Sequence, residues 1–96
     1  MDLAMSVARA RRRSRRAPAP LDRRAHDRAA VARRRWKLTA RQTEVLELTV
    51  LGLSNKEIAE RLGCSPRTIE LHLTAIYEKS GADRRATLIV AFWAAT

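Results

Sequence analysis

Residues 54–72 read SNKEIAERLGCSPRTIELH, a run with two helix starts about eleven residues apart and a glycine between them. Ser54 with Glu57 three residues on is a capping box, in which each residue satisfies a backbone N–H of the other. Gly63 stands where a helix ends in a left-handed turn. Ser65 caps the next helix, and Pro66 takes its first position, where a missing N–H costs nothing. A short helix, a glycine turn and a second capped helix make a helix-turn-helix. The second helix of such a unit can enter the major groove of DNA, so the run points to a DNA-binding module.

Around this run the pattern is all-α. Thr39 and Gln42 form a further capping box, opening a helix with Val45, Leu46, Leu48, Thr49 and Leu51 on its apolar side and Gly52 at its end. The next two helices are expected at about 55–62, burying Ile58, Ala59 and Leu62, and about 66–79, burying Ile69, Leu73 and Ile76. Gly81 closes the latter, and Asp83 is placed to cap a fourth helix over about 84–95. No stretch alternates with period two, so no sheet is expected. Ahead of this block, residues 1 to about 20 are low-complexity Ala, Arg, Ser and Pro and are expected to be disordered alone. Leu21, Ala25, Ala29, Ala32 and Trp36 then fall at helical spacing, giving an expected helix over 21–36 whose alanine stripe would pack weakly. The domain division is therefore a basic tail over 1–36 and a compact four-helix domain over 37–96.

The chain has 96 residues, room for one small domain plus a tail, and only 4% aromatics, so its core must be aliphatic. It has no apolar run of about 20 residues and no secretory h-region. The Arg-rich start has the character of a transit peptide, but Asp2, Pro18 and Pro20 count against one, and a cytoplasmic protein is the simplest inference. A single cysteine, Cys64, allows no internal disulfide, and two histidines, His26 and His72, leave no metal spacing. His72 is expected to be a packed, hydrogen-bonded structural residue. No nucleophile–base pair or phosphate loop appears, so neither an enzyme nor a cofactor is expected, and no membrane or small-molecule substrate. The net charge of +10 calls for a polyanionic partner, but its placement is uneven. Residues 1–36 hold twelve arginines against three aspartates, a net +9, whereas residues 37–96 carry eight cations against seven acids.

The block from Leu38 to Ile89 resembles the LuxR-type (GerE-like) DNA-binding domain of bacterial transcription regulators. The matching words are Leu38-Thr39-x-Arg41-x-x-Glu44-Val45-Leu46, Gly52-x-Ser54-Asn55-Lys56-Glu57-Ile58-Ala59-x-x-Leu62 and Ser65-Pro66-Arg67-Thr68-Ile69-x-x-His72-Leu73. Ile76-Tyr77-x-Lys79-x-Gly81 and Arg85 continue them. The chain departs from the family pattern at Gln42, where Glu is usual, and at Ser80 and Ala82, which are smaller or more polar than usual and thin the packing there. Glu70 stands where many members carry a basic residue.

On the helix expected at 66–79, Arg67, Glu70, Leu71, Thr74 and Glu78 lie opposite the apolar stripe. The resemblance implies that this surface lies in the major groove, with Glu70, Leu71 and Thr74 at base edges. Glu70 could accept from a cytosine amino group and Leu71 could touch a thymine methyl, or Glu70 could be a solvated residue near a helix N-terminus. Ser54, Asn55 and Lys56 open one helix, and Arg67 and Thr68 the next; both places offer backbone N–H groups to a phosphate. The resemblance adds Lys79 to these. It also implies a homodimer through the last helix, with Leu88, Ile89, Phe92 and Trp93 as its surface. One of the two aromatics is expected to pack inward, leaving Trp93 the more exposed. The arginine tail could follow phosphates or be a solvated segment.

Two functions are weighed on these grounds. The first is a sequence-specific regulator that binds double-stranded DNA as a dimer, with RNA polymerase as a further candidate partner. The second is a protein-interaction module that pairs with full-length relatives and modulates them. Residues 1–37 are too short and too rich in Arg and Ala for a sensory domain. The first reading is therefore of a lone effector, or of one signalled through a partner or through dimerisation.

Overall fold

A computed structural model of the chain describes residues 20–94, with side chains from residue 23 onward. The disorder expected up to about residue 20 and the side chain of Leu21 lie outside the described residues. Five helices follow in order: α1 Pro20–Trp36, α2 Ala40–Val50, α3 Asn55–Leu62, α4 Pro66–Ser80 and α5 Arg85–Ala94. Among the described residues there is no strand, and no helix is long and apolar enough to cross a membrane.

Local chemistry sets each boundary. Thr39 and Gln42 make the capping box of α2, and Ser54 and Glu57 that of α3, with both halves of each box present. Gln42 completes its box without the usual charge: its backbone N–H donates to Thr39 Oγ1 at 3.1 Å, and its Oε1 accepts from the Thr39 N–H at 3.1 Å. Ser65 accepts from the Thr68 N–H to start α4. The α3–α4 turn is a Schellman motif, with Gly63 at φ 73° and the Cys64 N–H donating to the Ala59 carbonyl at 2.9 Å. The same six-residue bond ends α1, where the Leu38 N–H donates to Arg33 O at 3.0 Å, but here a lysine takes the left-handed position, Lys37 at φ 54°. At α5 the expected cap moves. Asp83 Oδ1 accepts from the Thr87 hydroxyl at 2.8 Å, and Thr87 Oγ1, not Asp83, receives the Arg84 N–H at 3.2 Å.

The core gathers Leu38, Val45, Leu46, Ile58, Ala59, Ile69, Leu73, Ile76, Leu88 and Phe92 from the helix-turn-helix and its flanks. Phe92, fully buried, is its largest side chain. Thr49 is also fully buried, and its hydroxyl is satisfied within its own helix by donating to Val45 O at 2.8 Å. Leu48 and Leu62 are half-buried against this core. Ser80, polar where the resemblance leads one to expect an apolar residue, uses its hydroxyl for bonding: it donates to Tyr77 O and accepts from the Ala82 N–H at 3.2 Å.

The core does not stop at residue 37. Ala25, Ala29 and Ala32 are buried to 1% exposure or less, and Trp36 packs against the same cluster. Weak packing is the wrong expectation for this alanine stripe. Small side chains let helix axes approach closely, so an alanine face seats a helix by proximity where leucines would hold it off. His26 adds a polar contact across the pair, with its Nδ1 3.1 Å from Glu47 Oε1 on α2.

This seat is testable. Ala29→Leu is expected to lower unfolding stability by about 1–3 kcal/mol through overpacking, measured by urea denaturation. Ala30→Leu, on the exposed side of the same helix, should stay within about 0.5 kcal/mol of the parent chain.

Candidate nucleic-acid interface

Helix α4 presents two unlike faces because its apolar residues recur at spacings of four and three. Ile69, Leu73 and Ile76 are buried. Arg67, Glu70, Leu71, Thr74 and Glu78 are all exposed on the other side. Leu71 is 56% exposed, an apolar side chain left largely open to water by the described residues. Thr74 is exposed and spends its hydroxyl proton on the Glu70 carbonyl at 3.0 Å. Glu70 is held by Arg67, whose Nη1 donates to Glu70 Oε2 at 3.1 Å. The pair is well exposed, so it orients two side chains and adds little stability.

The candidate phosphate residues fall into distinct settings. Ser54 is exposed at the start of α3, but its hydroxyl accepts from the Glu57 N–H at 3.2 Å and its own N–H donates to Glu57 Oε1 at 2.8 Å. Lys56, in the first turn of α3, is exposed and makes no bond to another described residue. Thr68 is half-buried, with its hydroxyl 3.1 Å from that of Ser65. Asn55 is half-buried and occupied: Arg85 Nη1 donates to its Oδ1 at 3.2 Å, and Arg85 Nη2 donates to the Leu53 carbonyl. Lys79 bridges elements far apart in sequence, donating to Lys37 O at 3.1 Å and to Gln42 Oε1 at 2.8 Å. An ammonium has three donors, so Lys79 still has one to offer, from a position locked between α1, α2 and α4. Gln42 matters again here: a neutral acceptor leaves the Lys79 charge uncompensated.

Sequence reasoning did not assign Arg85 and Lys37 their places. Arg85 stood among the matched family residues without a role; its position carried no sign that it would span thirty residues back to Asn55. Lys37 gives no signal, since lysine is an unusual left-handed residue. His72 is half-buried, and its ring makes no hydrogen bond among the described residues, so the expected bonding partner is absent. Cys64 is half-buried in the turn. Among the described residues no group of three or more His, Cys, Asp or Glu could hold a metal.

The expected dimer surface divides. Leu88 and Phe92 are fully buried in the chain's own core and have no side-chain surface to offer a second copy. Ile89 and Trp93 are half-buried, the Trp93 ring packing edge-on against Phe92 with centroids 5.0 Å apart. Val90, next to Ile89 and three residues before Trp93, is 68% exposed.

The family model described as bacterial regulatory proteins, luxR family, matches residues 37–92. Among curated proteins, a candidate HTH-type transcriptional regulator of Mycobacterium tuberculosis is 47% identical over 57 residues, covering 58% of this chain and 6% of that protein. The C4-dicarboxylate transport transcriptional regulatory protein DctR of Rhodobacter capsulatus is 44% identical over 64 residues, covering 67% of this chain and 32% of DctR. The tetrathionate response regulatory protein TtrR of Salmonella typhimurium is 39% identical over 69 residues, covering 67% of this chain and 34% of TtrR. The chain thus spans at most about a third of the length of these relatives. No solved structure matches it.

The Arg85 fork should hold the α2–α3 loop in place. Arg85→Met is expected to cost about 1.5–3 kcal/mol, the worth of hydrogen bonds to a charged group. Arg84→Met, at an exposed residue with only a 3.8 Å contact to Asp83, should change stability by no more than about 0.5 kcal/mol. Thermal or urea unfolding of the two variants checks the difference.

Proposed function

Since the chain belongs to the luxR family of bacterial regulatory proteins, we propose that it is a transcription regulator that binds double-stranded DNA with α4 in the major groove. The exposure of Leu71, on the face of α4 opposite the buried stripe, carries this reading. Leu71 meets a thymine methyl, and Thr74 a methyl or a donor on a neighbouring base edge. Glu70 accepts from a cytosine amino group or, through its bond to Arg67, steers that guanidinium toward a guanine or a phosphate. Lys56, Arg67 and Lys79 neutralise phosphates, and Ser54, Asn55 and Thr68 bring the first turns of α3 and α4 to the backbone. Such a protein shares a compartment with DNA, so the cytoplasm is its place. Its effect is felt by RNA polymerase, through contact or through exclusion from a promoter.

The active species is a homodimer paired through α5, with Ile89, Val90 and Trp93 as its apolar surface. Two copies then place two α4 helices on half-sites about one helical turn apart. A second reading keeps its own support: the near-neutral charge of residues 37–96 and the exposed Val90 also suit a module that pairs with longer relatives and modulates them. Selection of duplexes from a random pool by the full chain separates the two. Recovery of a consensus supports the regulator, and indifference to sequence supports the interaction module.

Leu71→Ala and Thr74→Ala are each expected to weaken binding to the selected duplex by about 1–3 kcal/mol while leaving binding to unrelated duplex unchanged. Equal losses on all sequences would remove α4 from the groove. Val90→Glu is expected to convert a dimer to a monomer in sedimentation velocity without loss of helicity. A variant that sediments as the parent does would exclude α5 as the pairing surface.

A further inference from the structure

The positive charge that could hold DNA is not where the reading helix is. Residues 38–94 carry seven cations, Arg41, Lys56, Arg61, Arg67, Lys79, Arg84 and Arg85, against seven acids, a net charge of zero. Three of these cations are paired with carboxylates, Arg41 with Glu44, Arg67 with Glu70 and Arg84 with Asp83, while Arg85 and Lys79 are held in place by neutral acceptors, Asn55 and Leu53 for the first and Lys37 and Gln42 for the second. Lys56 and Arg61 alone among them make no bond to a described residue. A duplex presents one charge per ~1.7 Å of axis, and affinity for it grows with each phosphate neutralised.

The last turn of α1 holds what α4 lacks. Arg33, Arg34 and Arg35 are consecutive, exposed and without an ion pair among the described residues, and exposed Lys37 follows two residues later. The dipole at a helix C-terminus is equivalent to about half an elementary charge, so it accounts for only a fraction of four cations in five residues. The remainder repel one another until a polyanion opposes them. Their location is fixed by two interactions. Buried alanines seat α1 on the core, and Lys79 Nζ donates to the Lys37 carbonyl at 3.1 Å, joining the residue that follows α1 to the last turn of α4. Arg34 stands three residues, or about 4.5 Å of helix rise, from that junction.

We infer that the C-terminal turn of α1 is a second DNA-contacting element, a clamp on the phosphates flanking the base pairs that α4 reads. The inference rests on the groove reading of α4 and adds to it where the electrostatic affinity comes from. Successive side chains on a helix point about 100° apart, so one or two of the three arginines reach a given strand while Lys37 and Lys79 extend the same ridge. The clamp touches phosphates only, and sequence selectivity stays with α4.

The test uses the full chain and a duplex selected by it, with an unrelated duplex and a single-stranded RNA of equal length as comparisons. In Arg33→Gln/Arg34→Gln/Arg35→Gln, the slope of log K against log salt should fall in magnitude by about 1–2, near 0.9 for each phosphate left without its cation. Affinity at low salt should drop on the order of tenfold on both duplexes, with their ratio unchanged. Ethylation interference should disappear at flanking phosphates only. Lysine at the same three positions should restore the slope, which separates missing charge from misfolding, and Arg23→Gln/Arg24→Gln at the far end of α1 should change it by less than about one. An unchanged slope in the triple glutamine variant, with a selective parent chain, overturns the clamp and leaves the reading by α4 standing. A parent chain without selectivity overturns both. RNA bound more tightly than duplex, in a manner that depends on the three arginines, also overturns the clamp.

Discussion

The turn between α3 and α4 is the constraint on which the rest depends. Gly63 takes φ 73°, a region that side chains with a Cβ rarely adopt, and the Cys64 N–H closes onto the Ala59 carbonyl. Two residues later Ser65 and Pro66 start α4 on a new axis. With the angle between the helices held, the spacing of Ile69, Leu73 and Ile76 can point only inward, and Leu71 and Thr74 only outward. Replacing Gly63 would meet no steric neighbour, since nothing lies within 4 Å of the Cβ position; its cost would be the left-handed backbone alone. The exposed face of α4 is thus a consequence of backbone geometry before it is a matter of side-chain chemistry.

A second constraint is electrical. The helix-turn-helix with α2 and α5 is balanced in charge, and three of its seven cations are paired with its own carboxylates, so it exerts little long-range attraction on a polyanion. The positive charge lies on α1 and ahead of it, where arginine dominates. Alanine is what permits the combination. A stripe of Ala25, Ala29 and Ala32 seats an otherwise arginine-covered helix on the core, and a larger apolar stripe would need more of the surface that the arginines occupy. The proposed division of labour between a neutral α4 and a basic α1 rests on these two compositions.

Much of this was legible in the sequence. The capping pairs Thr39/Gln42 and Ser54/Glu57, and Ser65 with Pro66, each act through residues three apart or fewer, so the helix starts follow from local chemistry. The inward and outward faces of α4 follow from periodicity alone. What was not legible depends on distant partners. Weak packing was expected of the alanine stripe because side-chain size was weighed without the close approach it permits. Leu88 and Phe92 were assigned to a dimer surface, yet α5 turns them into the core and leaves Val90 outside. Asp83 was placed as a cap, yet Thr87 takes the N–H and Asp83 takes the Thr87 proton. Lys79 and Arg85 act across 42 and 30 residues of sequence, separations that no local pattern encodes.

Helix α4 is the element that must meet the bases if this protein reads DNA. Backbone amide chemical shifts of the full chain, followed by NMR through a titration with a selected duplex, address that requirement directly. Groove binding by α4 predicts that the largest changes fall on residues 67–78 and on the first turn of α3, with smaller ones at the end of α1. Changes confined to α1 or to α5, with α4 unmoved at saturation, would contradict it.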